Sequence, residues 1–304
     1  MFLIFDTETT GLPKNWKAPI TDTSNWPRCI QIAWQLHDKY GNLKESKSFI
    51  IKPDGFDIPY ESENIHGIST DLALAEGHDL INVLESFNAA ISKSKFIVGH
   101  NINFDLNVIG CEFYRLNFES QINTVDVLDT CSEQTAELCK LPGGRGGKFK
   151  LPTLTELHEF LFDKKFKDAH NASADVEATS RCLLELIRIE NFNKDQIQLG
   201  ENYFYEFKQA NPNSIENFGI KHLNLKKKSE KLKESLIQNN FGVDEANIID
   251  NDLDKHNFCH LHNHTQFSML QSTIKIRDLV DITYKNSMNA CLLYTSDAAD
   301  ESVC

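Results

Sequence analysis

An apolar run at the start of the chain ends in two closely spaced acids. Residues 2–5 are Phe-Leu-Ile-Phe, a bulky apolar run that predicts a buried β-strand. Asp6 and Glu8 follow, and because side chains two positions apart share one face of a strand, their carboxylates should project together. Neighbouring carboxylates repel each other unless a positive charge such as Mg²⁺ lies between them. An edge strand with a solvated acidic face is the other interpretation of this pattern.

Composition and charge restrict the class of protein. The chain has 304 residues, of which 40% are hydrophobic and 25% charged, so it can bury one sizeable core and carry further segments. It has neither an apolar run of the roughly 20 residues that a membrane helix needs nor a secretory leader, so we expect a cytoplasmic protein with no membrane partner. The net charge of −13 argues against broad neutralisation of nucleic-acid phosphates. It does not exclude a nuclease, because bound metal ions can supply positive charge locally.

Periodicity predicts a mixed α/β domain that ends near residue 190. Alternating apolar residues predict strands at 29–36 and 48–51, which would form an antiparallel meander with the first strand. The apolar period then becomes helical at 80–91. The remaining predicted elements are strands at 96–99 and 125–128, and helices at 104–116, from a capping box at Thr153, and at 173–189. Together these elements predict a mixed sheet flanked by helices.

The composition changes after residue 190. Residues 191–255 are rich in Asn, Lys, Glu and Asp and show no pattern of a second core, which favours a partly helical linker. One amphipathic helix could form around four leucines: Leu223, Leu225, Leu232 and Leu236. The basic stretch at 221–233 fits either a nucleic-acid contact or a solvated helix face.

Histidines crowd together further along the chain. His256, His260, His262 and His264 lie within nine residues, and the last three alternate along a predicted strand. This is the spacing of metal ligands, so it predicts a second site that is distinct from the first.

Two further patterns place acids at the start of predicted helices. Asp105 opens a helix directly after the strand at 96–99. Asp175 lies in the first turn of the helix at 173–189, and His170 precedes it by five positions. By itself, His170 also fits an ordinary loop histidine.

Three segments within the first 190 residues together resemble the motifs of a known enzyme family. The segments are Phe5-Asp6-Thr7-Glu8-Thr9-Thr10-Gly11, His100-Asn101-x-x-Phe104-Asp105 and His170-x-x-x-x-Asp175. They resemble, in order, the exonuclease motifs of the DnaQ-like superfamily of 3′-to-5′ exonucleases, in its histidine-bearing DEDDh branch. Ile65-His66-Gly67-Ile68 and Lys150-Leu151-Pro152 also match habits of that family. The resemblance implies a ribonuclease-H-like fold with a five-stranded mixed sheet.

The resemblance also implies a mechanism. Asp6, Glu8, Asp105 and Asp175 would hold two Mg²⁺ or Mn²⁺ ions about 4 Å apart, which can clamp the attacking and leaving oxygens at phosphorus. His170 would take the proton of the attacking water. Each turnover would release one nucleoside 5′-monophosphate from a 3′ end.

The same resemblance suggests which residues contact the substrate. The candidates are Thr9, Gly11, Leu12, His66, Asn101 and Phe104. Leu12 would pack on the terminal base, whereas His66-Gly67 could equally be a simple turn. The Gly-rich basic loop at 143–150 suits sequence-independent backbone contacts, and a plain connecting loop is an equally good interpretation.

A second resemblance concerns the segment that carries the histidines. Residues 258–270 resemble the opening of the PHP domain that begins bacterial DNA polymerase III alpha subunits, which would make His262 and His264 metal ligands of an incomplete site. Residues 256–290 would then be the start of this α/β barrel, with its first helix at 276–284. Residues 291–304 resemble a translated sequencing adapter, so we expect them to be an artefact.

The sequence therefore predicts a proofreading 3′-to-5′ exonuclease, at residues 1–190, fused ahead of a polymerase III alpha subunit. Its expected partners are single-stranded or frayed DNA 3′ ends and, in the full-length protein, components of the polymerase III holoenzyme. A stand-alone DEDDh ribonuclease or repair exonuclease and a non-catalytic docking module are the alternatives. The choice between DNA and RNA stays open, because it depends on how the pocket treats the 2′-hydroxyl.

Overall fold

The computed structural model describes residues 1–166 and 171–241, together with two short strands at 260–264 and 291–294. The chain divides into two compact units, Met1–Gln238 and Asn239–Cys304. The three exonuclease-like motifs all belong to the first unit. Among the residues that the structure describes, no helix is long and apolar enough to cross a membrane.

A five-stranded mixed sheet forms the centre of the first unit, in the order β3-β2-β1-β4-β5. Its strands are β1 (Phe2–Thr9), β2 (Cys29–His37), β3 (Leu43–Ile50), β4 (Phe96–Gly99) and β5 (Asp126–Asp129). The first three strands are antiparallel neighbours, whereas β4 runs parallel to β1 and β5 runs parallel to β4. The predicted meander and mixed sheet are confirmed, and β1 lies in the middle. The third strand begins at Leu43, well before the predicted start at residue 48.

Nine α-helices are described, and all of them begin in the first unit. They are α1 (Tyr60–His66), α2 (Thr70–Glu76), α3 (Leu80–Ile91), α4 (Asn103–Arg115), α5 (Glu133–Cys139), α6 (Leu154–Phe162), α7 (Ala172–Arg188), α8 (Tyr203–Ala210) and α9 (Leu225–Phe241). The capping box that opens α6 is formed: the Glu156 N–H donates to Thr153 Oγ1 (3.2 Å) and the Thr153 N–H donates to Glu156 Oε2 (2.8 Å). The sequence did not predict α1, α2 or α5, because an element of seven residues is too short to show a helical period.

Alternation along β1 divides the core into two layers. Phe2 and Ile4 pack on one face of the sheet with apolar residues of α6, α7 and α8. Leu3 and Phe5 pack on the opposite face with α3 and α4. The result is an α/β/α sandwich in which β1 touches both helical layers. Asp6 and Glu8 continue the face that α7 covers, since they keep the parity of Phe2 and Ile4.

The compact unit extends well beyond the predicted boundary at residue 190. Tyr203, Phe204 and Phe207 of α8 are buried in the same core as α7, together with Phe192 and Ile215. The predicted linker from residue 191 therefore differs from the structure as far as Gln238. The sequence analysis ended the domain too early because these apolar residues are sparse. They fill gaps in an existing core, so they do not form a periodic pattern of their own.

Only two strands are described in the second unit. Strand β6 (His260–His264) pairs in parallel with β7 (Cys291–Tyr294). The predicted helix at 276–284 lies outside the described residues. The start of a PHP domain at 256–290 therefore stays a prediction, as does the artefact at 291–304.

Candidate active site

Three of the predicted acids meet at the end of the central strand. Asp6 and Glu8 project from the face of β1 that α7 covers, and Asp175 lies in the first turn of α7. One carboxylate oxygen from each of the three can be chosen so that all lie within 4.8 Å of one another. The geometry expected for Asp6 and Glu8 is therefore present, and a helix on the same face supplies the third acid.

A buried glutamine anchors the helix that carries Asp175. Asn171 caps α7 by accepting a hydrogen bond from the Ser173 N–H (3.1 Å). Gln31, which lies opposite Glu8 in the β1–β2 register, accepts from the Ala172 N–H (3.2 Å) and donates to Asn171 Oδ1 (3.4 Å). Gln31 thus joins the strand beside Glu8 to the start of α7. The sequence analysis did not identify it, although a glutamine among apolar strand residues was a signal.

The fourth acid approaches from the other helical layer. Asp105 lies in the first turn of α4, and its side chain is buried. Its Oδ1 accepts two hydrogen bonds from Thr7, one from the backbone N–H (3.0 Å) and one from the hydroxyl (2.6 Å). Because Thr7 stands between Asp6 and Glu8 in β1, these bonds fix Asp105 beside the acidic cluster.

Three of the acids, Asp6, Glu8 and Asp105, have raised pKa values. Burial raises the pKa of Asp6 well above its ordinary value, and the charges of Asp105, Asp175 and Glu8 raise it further. Burial, Asp175 and Asp105 raise the pKa of Glu8 to about 8. The pKa of Asp105 rises to about 7 because burial outweighs its hydrogen bonds from Thr7. Burial and the neighbouring carboxylates therefore both favour the protonated forms of these three acids.

This donor set fits divalent metal ions. Carboxylate oxygens are the preferred ligands of hard cations such as Mg²⁺ and Mn²⁺. A divalent ion bound by these oxygens would lower the same pKa values, because a nearby positive charge favours the ionised carboxylate. Asp6, Glu8 and Asp175 would hold it directly, and Asp105 is positioned to contribute from the adjacent helix.

A further acid, which the sequence analysis did not identify, shapes the loop before Asp105. Asp129, at the end of β5, accepts hydrogen bonds from the N–H groups of Asn101 (2.8 Å), Ile102 (3.2 Å) and Cys131 (2.8 Å). Asn101 has a φ of 64°, a left-handed conformation that asparagine tolerates. Asp129 therefore stabilises the turn that leads into α4, and its place at the carboxyl end of a strand was the available signal.

His100 has a structural role in this arrangement. Its Nε2 lies 3.0 Å from the Pro152 carbonyl oxygen, to which it donates, and its Nδ1 lies 3.0 Å from Thr130 Oγ1. Burial lowers the pKa of His100 to about 4, so the ring is neutral near pH 7. His100 thus ties the loop before α4 to the segment that precedes α6.

The substrate-side candidates on the first and second motifs are close neighbours of Glu8 and Asp105 in the chain. The Thr9 hydroxyl donates to the Gly11 carbonyl oxygen (2.7 Å), which shapes the turn after β1. This turn leaves Leu12 72% exposed. Phe104 directly precedes Asp105, and its ring centroid lies 5.8 Å from that of Trp16, which is 55% exposed. Trp16 is a third apolar surface that the sequence analysis did not identify.

The remaining substrate-side candidate, His66, lies at the end of α1, directly before the α1–α2 loop. It is the last residue of α1, is buried, and accepts a hydrogen bond at Nδ1 from the Ile68 N–H (3.1 Å). Gly67 follows with a φ of 77° and ends the helix. The turn interpretation of His66-Gly67 therefore describes the local geometry, and a substrate contact stays a prediction.

The glycine-rich loop at 143–150 carries lysines that have acidic partners. Lys148 pairs with Glu133, and Lys150 Nζ lies 2.7 Å from Glu156 Oε1. These pairs reduce the positive charge that the loop could offer to phosphates.

Three predicted site residues are not placed by the structure. His170 lies outside the described residues, so its role as general base stays a prediction. His262 and His264 lie in β6, where the structure describes the backbone pairing of the strand, and their role as metal ligands likewise stays a prediction.

Comparisons with known proteins agree with this geometry. The family described as Exonuclease matches residues 3–183, a segment that contains all four acids. The 3′-5′ exonuclease DinG of Bacillus subtilis is 29% identical over 188 residues, which are 61% of this chain and 17% of that protein. A PolC-type DNA polymerase III of Oceanobacillus iheyensis is 25% identical over 212 residues, which are 67% of this chain and 13% of that protein. The chain thus spans less than a fifth of the length of either relative.

Solved structures of exonuclease I share the fold. One is 24% identical with a TM-score of 0.50 and covers 67% of this chain and 42% of its own. Another, from E. coli in complex with a dT13 oligonucleotide, is 23% identical with a TM-score of 0.50 and covers 62% of this chain and 40% of its own. With the family match covering more than half of the chain, and the four acids assembled at the end of β1, this protein belongs to the exonuclease family.

Proposed function

We propose that the first unit is a metal-dependent 3′-to-5′ exonuclease that releases nucleoside 5′-monophosphates from DNA 3′ ends. The observation that carries this proposal is the meeting of Asp6, Glu8 and Asp175, with Asp105 fixed beside them by Thr7. The membership of the exonuclease family and the similarity to the 3′-5′ exonuclease DinG support the direction of cleavage.

Each acid has a defined task in this mechanism. Asp6, Glu8, Asp105 and Asp175 would hold two Mg²⁺ or Mn²⁺ ions, with Asp6 contacting both. Such ions, when bound, can position the scissile phosphate and make an attacking water more acidic. The protein contributes a rigid frame, because the acids come from one strand and from the first turns of two helices packed on opposite faces of the sheet.

Other residues would move the proton and place the substrate. His170 would accept the proton of the attacking water, a task that a neutral imidazole can perform near pH 7. Leu12 and Phe104 would pack against the terminal base, and Thr9, Gly11, Asn101 and His66 would complete its pocket. The exposure of Leu12, which follows Glu8 by four positions in the chain, supports this arrangement.

The cellular role that we propose is proofreading within a bacterial DNA polymerase III, in the cytoplasm. The similarity to a PolC-type polymerase III and the histidine pattern at 256–264 support this context. A mismatched 3′ end frays readily, and an exonuclease joined to the polymerase would remove it. The full-length protein would then contact other components of the polymerase III holoenzyme.

A second candidate is an exonuclease that acts outside a polymerase. The similarity to DinG favours it, since that relative matches at a higher identity than the polymerase. In this case the substrate would be RNA or a repair intermediate.

Degradation of matched 5′-labelled DNA and RNA single strands, with Mg²⁺ and with EDTA, tests the activity. We expect stepwise shortening of the DNA from its 3′ end in Mg²⁺ and none in EDTA. The Asp6→Asn variant is the matched control, because it removes one charge without changing the size of the side chain. Strong preference for RNA would favour the second candidate, and no metal-dependent cleavage of either strand would contradict both.

The polymerase context needs a separate test. Sequencing the source gene beyond codon 290 should reveal the rest of a PHP domain followed by a polymerase. A gene that continues in frame with the residues printed at 291–304 and lacks a PHP domain would contradict the proofreading role.

A further inference from the structure

We propose that residues 220–229, which we call the brace, hold two parts of the exonuclease site at a fixed distance. These parts are the start of α7, with Asp175, and the α1–α2 loop, next to His66. The brace lies outside the family match, which ends at residue 183. Its first half binds the start of α7, next to Asp175. Its second half binds the α1–α2 loop, which directly follows His66. This inference rests on the proposed function, because it assigns a positioning role for that reaction.

The first half of the brace binds both sides of Asp175. His222 Nδ1 lies 2.9 Å from the Ser173 hydroxyl, and His222 Nε2 lies 2.5 Å from Glu177 Oε2. Ser173 and Glu177 are the residues two positions before and after Asp175. His222 therefore contacts the same helical turn that places this acid next to Asp6 and Glu8.

The backbone of the brace also contacts the helix cap. Asn171 Nδ2 donates to the Leu223 carbonyl oxygen (2.8 Å), while Asn171 Oδ1 accepts the capping bond from the Ser173 N–H. Asn171 is thus held from two directions, by Gln31 from the sheet and by Leu223 from the brace.

The second half of the brace is built into the α1–α2 loop. The buried Ser229 hydroxyl donates to the Gly67 carbonyl oxygen (2.7 Å) and accepts from the Ser69 N–H (3.1 Å). The backbone of Lys226 lies so close to Gly67 that a Cβ at that position would be 2.6 Å from the Lys226 nitrogen. Position 67 therefore requires glycine for two reasons: the backbone φ there is 77°, and the brace leaves no room for a Cβ.

Apolar packing and ion pairs strengthen this second attachment. Leu225 is buried in a small cluster with Ile68 and Leu72. Just beyond the cluster, Lys228 pairs with Glu76 of α2. Surface ion pairs contribute little, so the specificity of the attachment comes from Ser229 and Leu225.

The positions of the two attachments predict different kinetic effects. A short segment that binds the turn around Asp175 at one end and the His66 loop at the other sets the distance between metal ligands and nucleotide pocket. Loosening the Ser229 end should weaken substrate binding, whereas loosening the His222 end should weaken metal binding and slow the reaction. A segment that only stabilised the fold would lower the unfolding temperature without separating these effects.

Kinetics and metal binding of the full chain test the proposal with three single variants. Ser229→Ala should raise KM for a DNA single strand about fivefold or more, as expected from losing two buried hydrogen bonds, with kcat within about twofold. His222→Ala should lower kcat and weaken Mn²⁺ binding, measured by calorimetry without substrate, about fivefold or more, with little change in KM. Ser235→Ala is the matched control on the same helix, because this serine is exposed and, among the described residues, its hydroxyl donates to the Leu232 carbonyl oxygen alone.

A fourth variant distinguishes positioning from misfolding. His222→Gln keeps a donor and an acceptor, so it should recover part of the Mn²⁺ affinity that His222→Ala loses. Wild-type values of KM and Mn²⁺ affinity in both Ser229→Ala and His222→Ala would overturn the proposal, as would a lowered unfolding temperature with unchanged kinetics per folded molecule. If the wild-type chain cleaves no nucleic acid, the proposed function fails, and the Mn²⁺ titrations still decide whether the brace positions Asp175.

Discussion

The four acids of the site differ in how they are held. Asp105 receives two hydrogen bonds from Thr7, whereas Asp6 and Asp175 are placed by the strand and the helix that carry them. Without metal their mutual repulsion opposes folding, which the raised pKa values of Asp6 and Glu8 express. The carboxylates that would bind a metal ion are therefore also groups that oppose folding when no ion is bound.

Replacing Asp6 by asparagine should separate activity from stability. Metal-dependent cleavage should fall to background, because a ligand to the metal ions is lost. The unfolding temperature in EDTA should stay the same or rise, because a carboxyl group that ionises only against burial and the charges of its neighbours is replaced by a neutral amide. Cleavage assays and thermal unfolding measure the two effects, and retained Mg²⁺-dependent cleavage would contradict the metal assignment.

Trp16 offers a second prediction for a single residue. Its exposed ring beside Phe104 can stack on a base, and such stacking contributes about 1–3 kcal/mol per base. Trp16→Ala should therefore raise KM for single-stranded DNA about tenfold with little change in kcat, and Trp16→Phe should recover part of the loss.

Tyr205→Ala is the control for this prediction. Tyr205 is 67% exposed on α8, which packs near the Lys39 turn, at the opposite end of the sheet from the acids. Its replacement should leave KM unchanged. Equal effects of the two substitutions would argue against stacking at Trp16.

The sequence predicted the acids but not the residues that position them. Asp6, Glu8, Asp105 and Asp175 stand in short local patterns, so neighbouring residues reveal them. Gln31 acquires its role from Ala172, which is 141 positions away in the chain. Asp129 likewise serves a loop 28 positions earlier. Contacts between distant segments exist only in the folded chain, and no local pattern reports them.

At the level of elements, a buried glutamate fixes α4 to the sheet. Glu112 is completely buried, and its Oε1 accepts hydrogen bonds from Arg28 Nε (3.0 Å) and the Cys29 N–H (2.9 Å). Arg115 Nη1 lies 3.0 Å from the same oxygen. Since α4 also carries Asp105, this cluster indirectly supports the site.

Replacing Glu112 by alanine should be strongly destabilising. Removing the carboxylate leaves two partly buried guanidinium groups without their ionic partner and the buried Cys29 N–H without its acceptor, and loss of one partner of a buried pair lowers the free energy of unfolding by up to about 3–5 kcal/mol. Urea unfolding measures this change. Glu85→Ala on the exposed side of α3 is the control and should change the free energy of unfolding by no more than about 0.5 kcal/mol. A loss in Glu112→Ala as small as in the control would contradict the role of the cluster.

Whether a helix could be predicted from the sequence depended on its length. Helices α3, α4 and α7 and the strands β1, β2 and β4 were found within about two residues, because each has a clear apolar period. The short helices α1 and α2 were missed, although they carry His66 and the loop that the brace binds. The role of 192–215 in the core was also missed, because the burial of those apolar residues depends on their packing against α7, which no local pattern shows.

At the level of the whole molecule, the acidic cluster links stability to pH and metal. Glu8 has an ordinary pKa of 4.5, raised to about 8 in the folded protein, so the folded state binds the proton more tightly. The stability that this proton provides is complete below the unfolded value and is lost as pH rises through the folded value. In EDTA the unfolding temperature should therefore fall between pH 6.5 and pH 8.5.

Two comparisons test this link. Saturating Mg²⁺ should raise the unfolding temperature more at pH 8.5 than at pH 6.5, because the ions bind the deprotonated carboxylates. Glu8→Gln should flatten the decline in EDTA, since it carries no titrating proton. An unfolding temperature in EDTA that stays constant or rises over this range would contradict the raised pKa of Glu8.

The extension of the compact unit to Gln238 has a practical consequence for anyone who prepares the nuclease alone. A recombinant fragment trimmed at residue 190 would lack Tyr203, Phe207 and Leu225, and would present the apolar surfaces that these side chains cover to solvent. Such a fragment should aggregate, whereas one trimmed after Gln238 keeps those surfaces covered. An inactive preparation of the shorter fragment would therefore reveal nothing about the chemistry of the acids.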